Sequence, residues 1–200
     1  MSLADAPLTR DRIVSAAENV LRRFGPAKAT VVDVARALGV SHAAVYRHVA
    51  TKAELRDLVV GRWAETTMPP LRAIAAKPGP APKRLRQLFD ALIAVKRRRA
   101  AEDPELFAAY RTLAADAQSV VASHLDELVR LAATVIRSGV EEGTFRAVDP
   151  VAAGRAVLVA TSRFHHPAHA AEWVDPAIDA AYNDVWQLLM HGLCVAKRPG

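Results

Sequence analysis

Apolar positions in this chain recur at helical spacing almost from end to end, and no stretch alternates convincingly as a strand does. Ile13, Val14, Ala17, Val20, Leu21 and Phe24 form a first stripe, which Gly25-Pro26 stops. Val31, Val34, Ala35 and Leu38 make a second, shorter one, and Val40 and Val45 can pack a third helix, His42 to His48, back upon it. Thr51 and Glu54 form a capping box that opens a fourth helix through Leu55, Leu58, Val59 and Trp63, which ends by Met68-Pro69-Pro70. A looser region follows, with Pro78, Gly79, Pro80 and Pro82 close together, and marks the seam between domains.

Beyond the seam the pattern resumes through Leu85, Leu88, Phe89, Leu92, Ile93 and Val95. Three Asp-Pro steps, Asp103-Pro104, Asp149-Pro150 and Asp175-Pro176, each predict a helix start, because Asp caps well and Pro is tolerated at the first helical position. The first of these helices runs through Leu106, Phe107, Tyr110 and Leu113. A long helix from Val120 through Ile136 ends near Gly139 to Gly143, and the last two span roughly 149–164 and 175–195. The expectation is an all-α chain of about nine helices: an N-terminal three-helix helix-turn-helix domain over 7–67 and a C-terminal helical domain over 80–196.

The most specific local pattern is residues 30–49. Thr30 with Asp33 three residues on is a shortened capping box, Gly39 sits where the chain must turn sharply, and Ser41 can cap the next helix. This spacing is that of a helix-turn-helix, whose second helix enters the DNA major groove. Thr30, Val34-Ala35, Leu38-Gly39-Val40-Ser41, Val45-Tyr46, His48, Lys52 and Glu54-Leu55 together resemble the DNA-binding domain of TetR/AcrR-type transcriptional regulators, over roughly residues 8–65. Val49 departs from the pattern, standing where that family usually has Phe.

On this reading Ser41, His42, Ala43 and Ala44 open the recognition helix, with Ala43 and Ala44 small enough to touch a thymine methyl. His42 and Arg47 are candidates for hydrogen bonds to purines, although Arg47 could equally be a solvated charge. The resemblance implies phosphate contacts for Tyr46, His48 and Lys52, and the Thr30 backbone could meet a phosphate. The competing role for Tyr46 and His48 is closure of the small core. The resemblance also implies a small-molecule effector site in the C-terminal domain, and Trp63, Phe89, Phe107, Tyr110, His124, Phe164 and Trp173 are candidate lining residues. Ordinary core is the alternative for each.

One head cannot pick a single operator from a genome, so a homodimer reading two half-sites is expected. The last two helices offer the interface, through Ala152, Ala153, Gly154, Ala156, Val157 and Ala160 on one and Ile178, Ala181, Tyr182, Val185, Leu188, Leu189 and Gly192 on the other. A second effector reading is a metal: His165, His169 and Glu172 would share a helix face, but Pro167 interrupts any regular helix through them. A third is an architectural DNA-binding protein with no effector.

Composition narrows these classes. Hydrophobic residues make up 52% and aromatics only 6%, which favours helices packed through small side chains. The net charge of +6 suits a polyanionic partner, such as an operator duplex. Cys194 is the single cysteine, so neither an intrachain disulfide nor a cysteine-based zinc site is available. Gly-x-Ser-x-Gly, P-loop and paired-cysteine motifs are missing, which argues against an enzyme and calls for no cofactor. The first residues carry no apolar signal core, no apolar run reaches bilayer length, and the cytoplasm is the expected location.

Overall fold

The computed structural model describes residues 7–195. Its helices are α1 (Arg10–Lys28), α2 (Val31–Leu38), α3 (His42–Tyr46), α4 (Lys52–Glu65), α5 (Met68–Ala76), α6 (Ala81–Glu102), α7 (Pro104–Asp116), α8 (Gln118–Glu141), α9 (Pro150–Ala160), α10 (Ser162–His165) and α11 (Ile178–Leu193). A 3-10 segment, Pro167–Glu172, follows α10. Among the described residues no strand forms, and the one β-bridge pairs Phe145 with Cys194. The fold is all-α.

The chain forms two compact units. The first comprises the chain up to Glu65 together with Glu102–Ala122; the second comprises Thr66–Ala101 and the chain from Ser123 onward.

In the first unit the apolar stripe of α1 meets α2, α3, α4 and α7 in one core. Ile13 and Val45 are fully buried, with Val34, Val49, Val59, Leu106 and Ala109 around them. Polar ties fix the helices over this core. Arg62 on α4 donates to Asp11 and Ser15 on α1, and Arg22 on α1 reaches Asp103, the residue that caps α7, at 2.8 Å. Helix α1 does not end at Gly25: that glycine takes φ 71°, breaks the helical path, and Pro26 starts a final turn to Lys28.

The second unit packs α5, α6, α8, α9 and α11 around Leu71, Leu85, Ile136, Phe145, Phe164 and Trp186. Two glycines permit close approach there. A Cβ at Gly139 would run into the Phe145 ring, and one at Gly154 would stand 3.2 Å from the α8 backbone at Val129 and Ala133.

Besides the ends of α1, expected at Gly25-Pro26, and of α3, expected at His48 but found at Tyr46, three boundaries differ from the sequence expectation. Met68-Pro69-Pro70 does not merely end α4 but opens α5, where prolines in the first turn cost no hydrogen bond and Met68, Leu71 and Ala75 are buried. The helix expected over 149–164 breaks at Thr161, whose buried hydroxyl donates to the Val157 carbonyl at 2.8 Å. Asp175-Pro176 does not start its helix directly. The Asp175 carboxylate accepts from Ala177 N–H in a turn, α11 begins at Ile178, and it ends at Leu193 rather than Val195. Asp103 and Asp149 do cap α7 and α9, accepting from Leu106 and Ala152 N–H.

Candidate nucleic-acid interface

The turn between α2 and α3 follows from local chemistry. The Thr30 hydroxyl accepts from Asp33 N–H at 3.2 Å while the Asp33 carboxylate accepts from Thr30 N–H and hydroxyl, closing a reciprocal cap. That hydrogen bond from Thr30 holds the Asp33 carboxyl below the usual carboxylate range. Gly39 adopts φ 67°, ψ 27°, a left-handed conformation that any side chain would strain. Ser41 then caps α3 by accepting from Ala44 N–H.

Helix α3 is only five residues long, so its faces divide sharply. Val45 and the following Val49 are buried in the head core, which leaves the valine at 49 as a full plug there. Ala44 is also buried, at 8% exposure, so its methyl group is not available to a base edge; of the two alanines only Ala43 is exposed. Ser41, His42, Tyr46 and Arg47 are exposed as well, and His48 is half-buried. The His42 and Tyr46 rings meet edge-on, 4.6 Å apart, one turn from each other on α3.

Past α3, the Thr51 hydroxyl accepts from Glu54 N–H at 3.0 Å, as the capping box requires. The return bond differs: the Glu54 carboxylate accepts from Ala50 N–H, one residue earlier than expected, and also from Arg10 at 2.9 Å. Arg10 further donates to the His48 carbonyl, so α1 braces the end of the recognition segment. Lys52, the first residue of α4, is exposed.

The cations of this region fall into two groups. Arg10 is paired with Glu54 and Arg36 with Asp33, at 2.9 and 2.8 Å. Arg47 and Lys52 have no carboxylate partner among the described residues. A surface cation without an internal partner is the type that can neutralise a phosphate.

The candidate effector residues do not share one unit. Trp63, Phe107 and Tyr110 lie in the first, with Trp63 and Tyr110 stacked at 3.7 Å. Phe89, His124, Phe164 and Trp173 lie in the second and all are buried. Phe164 packs on Tyr182 at 5.2 Å, and the Trp173 indole donates to the Arg163 carbonyl.

The candidate metal residues do not converge. His165 is buried with its ring against the Thr161 hydroxyl, whereas His169 pairs with Glu172 at 2.7 Å, and Glu172 also pairs with Arg163. Pro167 is the cause, because α10 ends at His165 and a 3-10 segment of different pitch follows. Among the described residues no group of three or more His, Cys, Asp or Glu is arranged to hold a metal ion.

Sequence reasoning missed Lys96. It continues the α6 stripe of Leu85, Phe89 and Leu92, is 3% exposed, and places its Nζ 3.4 Å from His124 Nε2. A lysine standing in register with an apolar stripe was the available signal.

An all-helical chain with a capped helix-turn-helix, and with the exposed cations Arg47 and Lys52 beside it lacking a carboxylate partner among the described residues, has the makings of a DNA-binding transcription regulator. Comparison with known families gives the same class. Residues 13–59 match "Bacterial regulatory proteins, tetR family" and residues 81–186 match "Tetracyclin repressor-like, C-terminal domain". The chain belongs to the TetR family of transcriptional regulators.

Solved structures share the fold. SmeT, the repressor of the Stenotrophomonas maltophilia multidrug efflux pump SmeDEF, superposes with TM-score 0.70 at 18% identity, covering 97% of this chain and 93% of that one. A TetR transcription regulator from Haloarcula marismortui gives TM-score 0.72 at 21% identity, covering 93% and 98%. A SmeT–triclosan complex matches with TM-score 0.66 at 18% identity, covering 96% and 95%. No curated protein matches the chain.

Proposed function

We propose that this protein is a repressor that binds a palindromic operator as a homodimer and is released by a small-molecule effector held in its C-terminal domain. The domains are read as 7–67 for DNA and 80–196 for effector and dimer contacts. The observation that carries the reading is the exposed set Ser41, His42, Ala43, Tyr46 and Arg47 on and around a capped α3, beside Lys52, which has no carboxylate partner among the described residues. His42 and Arg47 are assigned to base edges, and Tyr46, His48, Lys52 and the Thr30 backbone to phosphates.

Homodimerisation is supported by apolar surface that the single chain leaves bare. Val151 and Val159 on α9 and Leu188 on α11 are 43%, 66% and 75% exposed. Of the residues expected at this interface, Gly154, Val157, Ile178 and Tyr182 are buried within the chain, whereas Ala152, Ala156, Ala160, Leu188 and Gly192 are exposed. The proposed contact therefore uses the outer half of each helix. An effector is supported by the SmeT–triclosan complex, a relative by fold that holds a small molecule. No helix among the described residues is long and apolar enough to cross a membrane, and cytoplasmic DNA is the proposed target.

The test is selection of bound fragments from random duplex DNA, followed by binding measurements near physiological salt. A two-fold symmetric consensus is expected, and Tyr46→Ala with Lys52→Ala should weaken binding to every sequence alike. Uniform affinity for all sequences sinks the proposal.

A further inference from the structure

The first unit contains a cavity of about 640 Å³ whose apolar interior the DNA-contact assignments do not explain, although two of them, Thr30 and Lys52, line it. That is the size of a small-molecule site. Leu21 of α1, Val34 of α2, Leu55 and Val59 of α4 and Leu113 of α7 form its apolar walls. Its polar groups are few: Thr30, Lys52, Arg56, Thr112 and Asp116. Arg56 is already committed to Asp57 at 2.9 Å. Lys52 forms no ion pair among the described residues, not even with Asp116 on the α7 side.

We propose that this cavity in the DNA-binding head is a second small-molecule site, which takes an apolar, ring- or chain-bearing anion whose acidic group is held by Lys52, in competition with DNA. The apolar walls desolvate a hydrocarbon part, and the Lys52 ammonium meets an acidic group at the α4 edge. The Asp116 carboxylate, which has no ion-pair partner among the described residues, repels that group from the α7 side. The two charges together set the end at which an amphipathic acid is held. The coupling to DNA is direct. Lys52 and Thr30 line the cavity and also belong to the proposed phosphate-contacting set, so one ammonium serves either the ligand or the duplex. Release from DNA by this route needs no signal from the C-terminal domain. The competition rests on the DNA reading proposed above; the existence of the site does not.

The probe is 8-anilinonaphthalene-1-sulfonate, followed by its fluorescence on the full chain, with N-phenyl-1-naphthylamine as the same ring system lacking the sulfonate. Ala53 and Ala27 line the cavity from exposed positions, so Ala53→Trp and Ala27→Trp fill it without disturbing the buried core. Each should weaken binding of both dyes at this site about ten-fold or more, as overfilling a cavity does. Lys52→Gln should weaken the sulfonate roughly five- to ten-fold and leave the neutral dye unchanged. A duplex selected by the protein from random DNA should displace the sulfonate.

Dye binding untouched by both tryptophans overturns the site, and equal effects of Lys52→Gln on both dyes overturn its anion preference. A selected duplex that binds without displacing the sulfonate overturns the competition. Failure to select any duplex would instead sink the DNA reading, while the tryptophan and glutamine results still decide the site.

Discussion

Lys96 is an ionisable group held where leucine would be expected, and it makes the stability of this protein depend on pH. Burial, with the Arg99 charge adding to it, pushes its pKa down from 10.5 to about 7. His124 and His165 are pushed down from 6.5 to about 3, first by burial and then by Lys96. Each group therefore holds its proton less firmly in the folded chain than in the unfolded one. Stability must then rise with pH, from about 3 to 6.5 through the histidines and from about 7 to 10.5 through Lys96. At roughly 1.4 kcal/mol per pKa unit, Lys96 carries a few kcal/mol of this dependence. Thermal melts of the protein and of Lys96→Met should show a melting-temperature difference that favours the variant at pH 7 and shrinks as pH approaches 10. A difference constant over that range would show that Lys96 does not titrate as its burial requires. Single residues were otherwise the most legible scale. Thr30, Ser41, Asp103 and Asp149 cap helices where the sequence places caps, because a cap needs only a partner three residues away. The buried side of Ala44 was not legible, since on a five-residue helix one step of rotation decides exposure. Ser41→Ala should lower stability by about 1 kcal/mol, measured by denaturant unfolding; an unchanged midpoint would mean that α3 is held by Val45 and Val49 alone.

At the scale of elements, periodicity located the long helices and failed where packing overrides it. Helix α5 was hidden because prolines at its first turn read as a stop, yet burial of Met68, Leu71 and Ala75 makes the segment helical. The break at Thr161 was equally hidden, because a serine- or threonine-bearing helix looks the same in sequence whether or not its hydroxyl turns back on the chain. His165, His169 and Glu172 lost their common face for a reason the sequence did show, the proline at 167. The packing of α8 rests on Gly139, which leaves room for Phe145, a side chain only 2% exposed. Gly139→Ala places a methyl group inside that ring's position, so either Phe145 or α8 must move. Overpacking of this kind costs roughly 1–3 kcal/mol, although alanine's higher helix propensity returns part of it. The expected outcome is a net loss of stability in denaturant unfolding that Phe145→Leu in the same chain partly relieves. A Gly139→Ala protein as stable as the parent would refute the close approach.

For the molecule as a whole, two predictions connect the dimer to DNA. A charge placed on bare apolar surface that a partner covers is expensive to bury, so Val159→Glu with Leu188→Glu should convert a dimer to a monomer in size-exclusion chromatography with light scattering. The second concerns salt. Each phosphate neutralised by a cation releases counterions, so the logarithm of affinity falls with the logarithm of salt in proportion to the number of such contacts. On the proposed reading Lys52 supplies one phosphate contact per head, and a symmetric dimer would present two heads. Lys52→Ala should therefore reduce the steepness of the salt dependence by about 2 for the dimer on a full operator, but by about 1 for the double-glutamate monomer on a half-site. Lys77, an exposed lysine of the second unit with no proposed DNA role, serves as the control, and its alanine variant should leave the slope alone. The ratio between dimer and monomer is the informative quantity, because general loss of affinity through misfolding changes the intercept and not that ratio. An equal change in both forms would mean that only one Lys52 of the pair reaches DNA, and the two-fold reading of the operator would fail with it.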